Sequence, residues 1–163
     1  MRMDHEEIVL RNPALGARAF WHFSYAYSVR GKGAPPELPH FLLAAGMLYH
    51  RSSVQKIKGM NFDSGLLKAV SDRPDIVAGL QYRMESYARE TFVALQVGTA
   101  SGLLLREGGS EFPAFRALGM DLPLSLRDGS GHVNEIFLAA KRLGAWFGNE
   151  TLEAIQRRLI VEF

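Results

Sequence analysis

Apolar residues recur at helical spacing over most of the chain, and the first clear helix begins at Asn12-Pro13. Asparagine is a favoured N-cap, and proline is favoured at the first helical position. The helix is predicted to extend to about Val29, with apolar side chains around most of its circumference, which is typical of a central, buried helix. Glycines and prolines between residues 31 and 36 then predict a loop.

Three shorter helical segments are predicted after this loop. The first begins near Pro39 and continues through Leu48 on a nearly continuous apolar surface. Ser52 or Ser53 is expected to cap a short helix after it, because a serine hydroxyl accepts hydrogen bonds from the first amides of a helix. Residues 64–66, Ser-Gly-Leu, predict a further cap and short helix.

The longest helical region is predicted from Asp75 to Gly102, with a break near residues 79–83. Its second half has the most regular period, and a glycine at position 102 is a typical stop signal. The residues that share this spacing are Met84, Ala88, Thr91, Phe92, Leu95, Thr99 and Gly102.

The periodicity changes after this helix. Residues 103–107 and 111–115 flank a Gly108-Gly109 turn, which together predict a β-hairpin. Pro113 cannot donate a hydrogen bond to a ladder, so its strand is expected at an edge.

Helical spacing returns at about Val133. Asn149 is expected to cap a last short helix from Leu152 to Arg158, and residues 159–163 predict a short strand. The whole pattern predicts one domain over residues 1–163, mainly α with a small β-hairpin, in the α+β class. Helical regions followed by a hairpin and another helix are also typical of a winged-helix domain, in which the hairpin is the wing.

Composition narrows the class of protein. Of the 163 residues, 47% are hydrophobic and 22% are charged, as in an ordinary globular domain. The chain has no cysteine, which excludes disulfides, thiolate metal sites and a cysteine nucleophile. No apolar run is long enough to span a bilayer and no signal peptide is visible, so we expect a cytoplasmic protein with no membrane role.

The charge distribution is uneven although the net charge is only +2. Residues 29–58 carry many basic residues and Glu37 as their one acid. Such a stretch is either a solvated face or a surface for phosphates or an acidic partner.

No catalytic pattern is found. The five histidines include no HExxH motif and no pair at the spacing of a helical zinc site. A phosphate-binding loop and a G-x-S-x-G nucleophile elbow are also absent from the sequence. We therefore predict a non-enzymatic binding protein with no catalytic residue, metal or cofactor. A small enzyme that uses His50 or His132 is the alternative.

Aromatic residues are dense in the first long helix. Two interpretations are open for four of them: Phe20, Trp21, Tyr25 and Tyr27. They pack in the core, or those that do not fit inside form a protein-docking face, because aromatic side chains are enriched at interface hot spots. His50 and Arg51 at the exit of the second helix complete the candidate docking residues; a histidine there also suits the helix dipole.

Four arginines are candidate phosphate contacts if the protein binds DNA: Arg83 and Arg89 before the hairpin, and Arg106 and Arg116 on it. Phosphate contacts give affinity but little sequence specificity. A stand-alone winged-helix DNA-binding protein or regulator therefore stays open as an alternative function.

Five motifs in the same order resemble one family. They are the opening residues 11–17 (Arg-Asn-Pro-Ala-Leu-Gly-Ala) with Phe20-Trp21, the segment 38–51 (Leu-Pro-His-Phe-Leu-Leu through Leu-Tyr-His-Arg), Ser64-Gly65-Leu66, Gly102-Leu103-Leu104, and residues 140–147 (Ala-Lys-Arg-Leu-Gly-Ala-Trp-Phe). Together they resemble the middle components of bacterial three-component ABC-ATPase systems. The sequence departs from the usual family pattern at two places, which bears on its subfamily. Ala45-Gly46-Met47 stands where the family usually has a second Leu-Pro in the second helix, and residues 159–162 stand where it usually ends in a Gly-Val-Arg-Pro motif.

The resemblance implies a non-enzymatic adaptor subunit. It would bridge an SMC/Rad50-like ABC ATPase and a variable effector protein, in a system that acts against phages and other mobile elements. The resemblance implies that the ATPase would be the main DNA-binding subunit. Self-association of the adaptor is a further possibility that the sequence does not decide.

Overall fold

The computed structural model describes residues 4–10, 12–108, 111–119 and 131–163. The predicted class is confirmed, since the described residues form helices and one small antiparallel hairpin. The helices are α1 (His5–Leu10), α2 (Pro13–Arg30), α3 (Leu38–Leu48), α4 (Arg51–Ile57), α5 (Gly65–Asp72), α6 (Leu80–Ser86), α7 (Ala88–Ala100), α8 (His132–Gly148) and α9 (Leu152–Leu159); the strands are β1 (Leu104–Glu107) and β2 (Ala114–Ala117). Short 3-10 turns cover Phe62–Ser64 and Pro74–Ile76.

Helix α2 is the centre of the fold, as predicted. The Asn12 side chain accepts a hydrogen bond from the Leu15 amide at 3.1 Å, which is the expected N-cap. Every residue from Leu15 to Ser24 except Arg18 is buried. The helix contacts α7, α8 and β2, and this explains why its apolar residues are not confined to one face.

Helices α2 and α8 pack backbone to backbone. A Cβ atom added at Gly144 would overlap the Phe23 carbonyl oxygen and would lie 3.0 Å from the Ala26 Cβ. A Cβ at Gly148 would lie 2.5 Å from the Tyr27 carbonyl oxygen. The two glycines therefore set the distance between the helices, and Trp146 and Phe147 on α8 fill the core beside them.

Helix α3 begins with a buried polar cap. The Glu37 amide donates to His40 Nδ1 at 3.0 Å, and the Tyr27 hydroxyl lies 3.4 Å from His40 Nε2. The His40 side chain is only 3% exposed. Burial lowers the pKa of this histidine from 6.5 to about 4 because the charged imidazolium would lose its hydration.

We expect His40 to make the fold acid-sensitive. A base with a lowered pKa in the folded state binds protons more weakly when folded than when unfolded. The contribution of neutral His40 to the free energy of unfolding is therefore complete above pH 6.5 and is lost as the pH falls toward 4. The loss reaches about 3 kcal/mol. Urea unfolding at several pH values should show a smaller pH dependence for His40→Gln than for wild type. Equal slopes for the two proteins would contradict this role.

The hairpin is confirmed, and its pairing places Leu104 opposite Ala117 and Glu107 opposite Ala114. Ser24 of α2 attaches β2 to the core: its hydroxyl donates to the Phe115 carbonyl at 2.8 Å and accepts from the Ala117 amide at 3.0 Å. On its other side β2 forms an isolated bridge from Ala114 to Glu37, so this side of the strand is partly paired. Pro113 lies just before β2, where no ladder hydrogen bond from its nitrogen is needed. The winged-helix interpretation stays a prediction, and Gly109 of the turn lies outside the described residues.

Several predicted boundaries are wrong. Ser52 and Ser53 lie inside α4, whose N-cap is the extended residue His50. The long region breaks at Tyr87, between α6 and α7, while left-handed Gly79 precedes α6.

The last helix also differs from the prediction. Asn149 ends α8, and Thr151 caps α9 through a bond from the Ala154 amide at 3.2 Å. Residues 160–163 form no strand, because the Ile160 amide closes α9 and Val161 turns inward.

None of the described helices is both long enough and apolar enough to cross a membrane. This finding concerns helical spans only.

Candidate protein-docking surfaces

Two of the six predicted docking residues lie in the core. Phe20 is 0% exposed and packs against the Phe41 ring at 5.4 Å between centroids. Trp21 is 3% exposed, and its indole N–H donates to the Leu118 carbonyl at 2.9 Å. Both lie inside rather than on a docking face, because α3 and the segment after β2 cover this side of α2.

An apolar surface remains at the far end of α2. Tyr25 stacks on Trp21 with 5.2 Å between ring centroids and is 37% exposed. Val29, one turn further, is 64% exposed, and Leu118 beside Trp21 is 38% exposed. We call Tyr25, Val29 and Leu118 the α2 stripe.

Tyr27 takes no part in the α2 stripe. It is half-buried, and its ring lies against His40 with 5.0 Å between centroids. Burial raises the pKa of its hydroxyl. Its position is therefore that of a residue supporting the α3 cap.

The other two docking candidates, His50 and Arg51, line an open polar cleft. Its volume is about 1200 Å³. We call it the polar cleft, and its lining residues are Asp4, His50, Arg51, Ser52, Gln55, Lys56, Gly59, Met60, Asp72 and Arg73. Arg51 and Arg73 are exposed, so two cations reach solvent here.

Paired charges fix the wall of the polar cleft. Lys56 forms an ion pair with Asp75, which lowers the pKa of that carboxyl, and also donates to Ser52 Oγ at 2.9 Å. Gln55 donates to Glu135 of α8 at 2.6 Å. A wall of this kind, with both signs of charge, suits a polar protein surface better than an apolar ligand.

A histidine pair lies behind the polar cleft and was not predicted. His5 is 1% exposed; its Nε2 lies 2.9 Å from the Leu48 carbonyl and its Nδ1 lies 2.5 Å from His132 Nε2. Burial lowers the pKa of His5. The arrangement ties α1 to α3 and α8. The pairing joins residues 127 positions apart, so no local pattern could have revealed it.

The four candidate phosphate-binding arginines fall into different environments. Arg83 is buried, and its guanidinium donates to the carbonyls of Gly46, Ala78 and Ile76 at 2.8, 2.6 and 3.1 Å. It therefore joins α3 to α6 and does not reach solvent as a phosphate contact would.

Arg116 is paired and half-buried, while Arg89 and Arg106 are exposed. The Arg116 guanidinium donates to Glu107 at 2.7 Å and to the Gly33 carbonyl at 2.7 Å. Arg89 and Arg106 alone of the four keep the exposure that a phosphate contact needs.

The α2 stripe and the polar cleft share no residue. Tyr49, next to His50, stacks on Phe20 and lies against Gly16, so the cleft is near the first half of α2. Tyr25 and Val29 of the α2 stripe follow Phe20 by five and nine positions. At 1.5 Å per residue, they lie about 8 and about 14 Å further along the helix axis.

These features define a mainly helical protein with two candidate docking surfaces; in the described part of the chain, no three metal-ligating side chains come together. A model of the ABC-three component (ABC-3C) system Middle Component 3 family matches residues 1–163, and the chain belongs to this family. The resemblance seen in the sequence is thereby confirmed, and the protein is a middle component of such a system. Neither the curated proteins nor the solved structures yielded a match.

Proposed function

We propose that this protein is a non-enzymatic, cytoplasmic adaptor that joins an SMC/Rad50-like ABC ATPase to a variable effector in a bacterial defence system against phages and mobile elements. Its membership of a middle-component family carries the proposal. The separation of the α2 stripe from the polar cleft supports it, since a bridging subunit needs two surfaces that can be occupied together.

The non-enzymatic part of the proposal is supported by where the histidines lie. His132 contacts His5, and His50 Nδ1 lies 2.8 Å from Ser53 Oγ within the first turn of α4. Both side chains therefore have structural hydrogen bonds. A His50→Ala variant that still binds both partners is expected to keep full defence activity. Loss of activity with both partners still bound would contradict a purely adaptor role.

The chemistry of the two surfaces differs, so they suit different partners. The α2 stripe offers aromatic and aliphatic side chains, which are typical of the desolvated centre of an interface. The polar cleft offers exposed cations beside paired charges, which favour electrostatic steering and orientation. The proposal therefore assigns one partner to each surface.

The test is co-purification of the ATPase and the effector with and without this chain. Val29→Glu in the α2 stripe should weaken binding of one partner roughly tenfold or more, because it places a charge in an apolar contact. Arg51→Glu in the polar cleft should weaken binding of the other partner alone. Leu67→Glu and Arg157→Glu are matched controls at exposed positions outside both surfaces.

Two results would contradict the adaptor proposal. One is co-purification of the ATPase and effector at full yield without this chain. The other is tight binding of duplex DNA by this chain alone, with steep loss of affinity on adding salt and on changing Arg89 or Arg106. The second result would instead favour the DNA-binding alternative.

A further inference from the structure

A third surface of the protein is an apolar groove between α7, the hairpin and the start of α3. Its volume is about 650 Å³, in the range of a binding pocket. The lining residues are Leu38, Phe92, Leu95, Gln96, Thr99, Ala100, Arg106, Pro113 and Phe115. Phe92 is 45% exposed although it shares the helical period of buried α7 residues. Phe92 adjoins other apolar lining residues of the groove, and a contiguous apolar patch of this kind marks an interaction site.

The groove is positively charged. Arg106 is the only charged residue among the described residues that line it. Arg89 lies one turn before Phe92 on the same face of α7 and is also exposed. An occupant that fits should therefore combine an apolar side chain with a carboxylate.

This chain carries a segment with that chemistry. Ile160 is 81% exposed and Phe163 is 49% exposed, and the exposed carboxylate Glu162 stands between them. The surface depression beside this segment is also lined by two further acids, Glu85 and Glu153. Arg157 is the one cation among the described residues that line it. We call residues 160–163 the apolar-acidic segment.

The apolar-acidic segment is held in a fixed conformation. The Gln81 side chain donates to the Glu162 carbonyl at 3.1 Å and accepts from the Glu162 amide at 2.9 Å. Val161 is 6% exposed and anchors the segment in the core. Exposed side chains on a fixed backbone lose less entropy on binding than those on a flexible one.

Ile160 has a backbone that glycine would adopt more easily. Its φ of 56° and ψ of 54° are left-handed, which is uncommon for a β-branched residue. The position caps α9, where glycine is the usual residue. The exposed isoleucine side chain at this position is therefore available for a contact.

We propose that the groove of one molecule receives the apolar-acidic segment of a second copy, with Ile160 beside Phe92 and Glu162 beside Arg106. The segment is attached to α6 of its own molecule through Gln81 and takes no part in lining that molecule's groove. Two different surfaces meet, so the contact is heterologous and builds open chains or closed rings. This contact uses neither the α2 stripe nor the polar cleft, and it stands independently of the adaptor function.

The test is light scattering of the purified chain alone over a wide concentration range. The average mass should rise with concentration for wild type and stay at that of a monomer for Phe92→Ser and for Ile160→Ser. Each variant should weaken self-association roughly tenfold or more. Both changes are at exposed positions, so melting temperatures should stay close to that of wild type. Leu67→Ser, at another exposed apolar residue, should associate like wild type.

Mixing the two variants gives the sharpest result. Phe92→Ser keeps an intact segment and Ile160→Ser keeps an intact groove, so the mixture should form 1:1 dimers and nothing larger. Arg106→Glu should weaken self-association, and combination with Glu162→Arg should restore it. A wild-type chain that is monomeric at every concentration would overturn the proposal and leave the groove to another protein. Failure of the mixture to dimerise, or association of Phe92→Ser at wild-type strength, would also overturn it.

Discussion

Replacing Gly144 with alanine is expected to destabilise the protein by about 3 kcal/mol, at the upper end of the usual cost of overpacking. In most helix interiors this change gains about 1 kcal/mol, because alanine is the better helix former. At Gly144 the new methyl group would overlap the Phe23 carbonyl oxygen and crowd Ala26 on α2. Backbone cannot rotate away as a side chain can, so α2 and α8 would have to separate along their shared core.

Gly59→Ala is the matched control for this prediction. It is exposed, and a Cβ there would meet no described atom within 4 Å. Chemical unfolding should therefore give a free energy close to that of wild type for Gly59→Ala and a much lower one for Gly144→Ala. If the two variants were equally stable, the close packing of α2 on α8 would be incorrect.

Replacing Trp21 with alanine is expected to cost about 3–5 kcal/mol of stability. The indole is 3% exposed, stacks on Tyr25 and donates to the Leu118 carbonyl. The variant would lose apolar burial, leave a cavity and lose the hydrogen bond to the Leu118 carbonyl. Thermal melting should show a large decrease in Tm, since about 1 kcal/mol already shifts the Tm of a domain of this size by a few degrees.

Tyr25→Ala separates this core role from docking. Tyr25 is partly exposed, so its loss should affect stability much less than loss of Trp21. Because Tyr25 belongs to the α2 stripe, the same variant should lose the partner assigned to that surface. A Trp21→Ala protein with an unchanged melting curve and failed partner binding would show instead that Trp21 is docking surface.

Local signals in the sequence were sufficient for the main elements of the fold. The Asn12 cap, Pro13 and the all-round apolar pattern predicted α2 to within one residue at its end, because each signal acts within one helix. The hairpin followed from its glycine turn and flanking apolar residues. Helix boundaries near Ser52 and Asn149 were wrong because several residues there can cap, and tertiary packing decides which one does.

The docking surfaces were less predictable. Residues 20–27 contain aromatic side chains on every side of α2, and only the positions of α3 and the residues after β2 decide which of them are covered. Arg83 looked like a surface cation, but the carbonyls of Ile76 and Ala78 just before it and of the distant Gly46 on α3 hold it inside. The groove was missed because it forms between segments far apart in the chain, and periodicity alone assigned Phe92 to a regular helical stripe.

The α2 stripe and the polar cleft are proposed to hold two partners at once. The most direct measurement is the dissociation constant of the ATPase for this chain alone and for the chain saturated with the effector, by titration calorimetry. We predict that the two values agree within roughly threefold, less than the coupling typical of allosteric sites. Displacement of the ATPase by the effector, with a single shared site, would contradict the account.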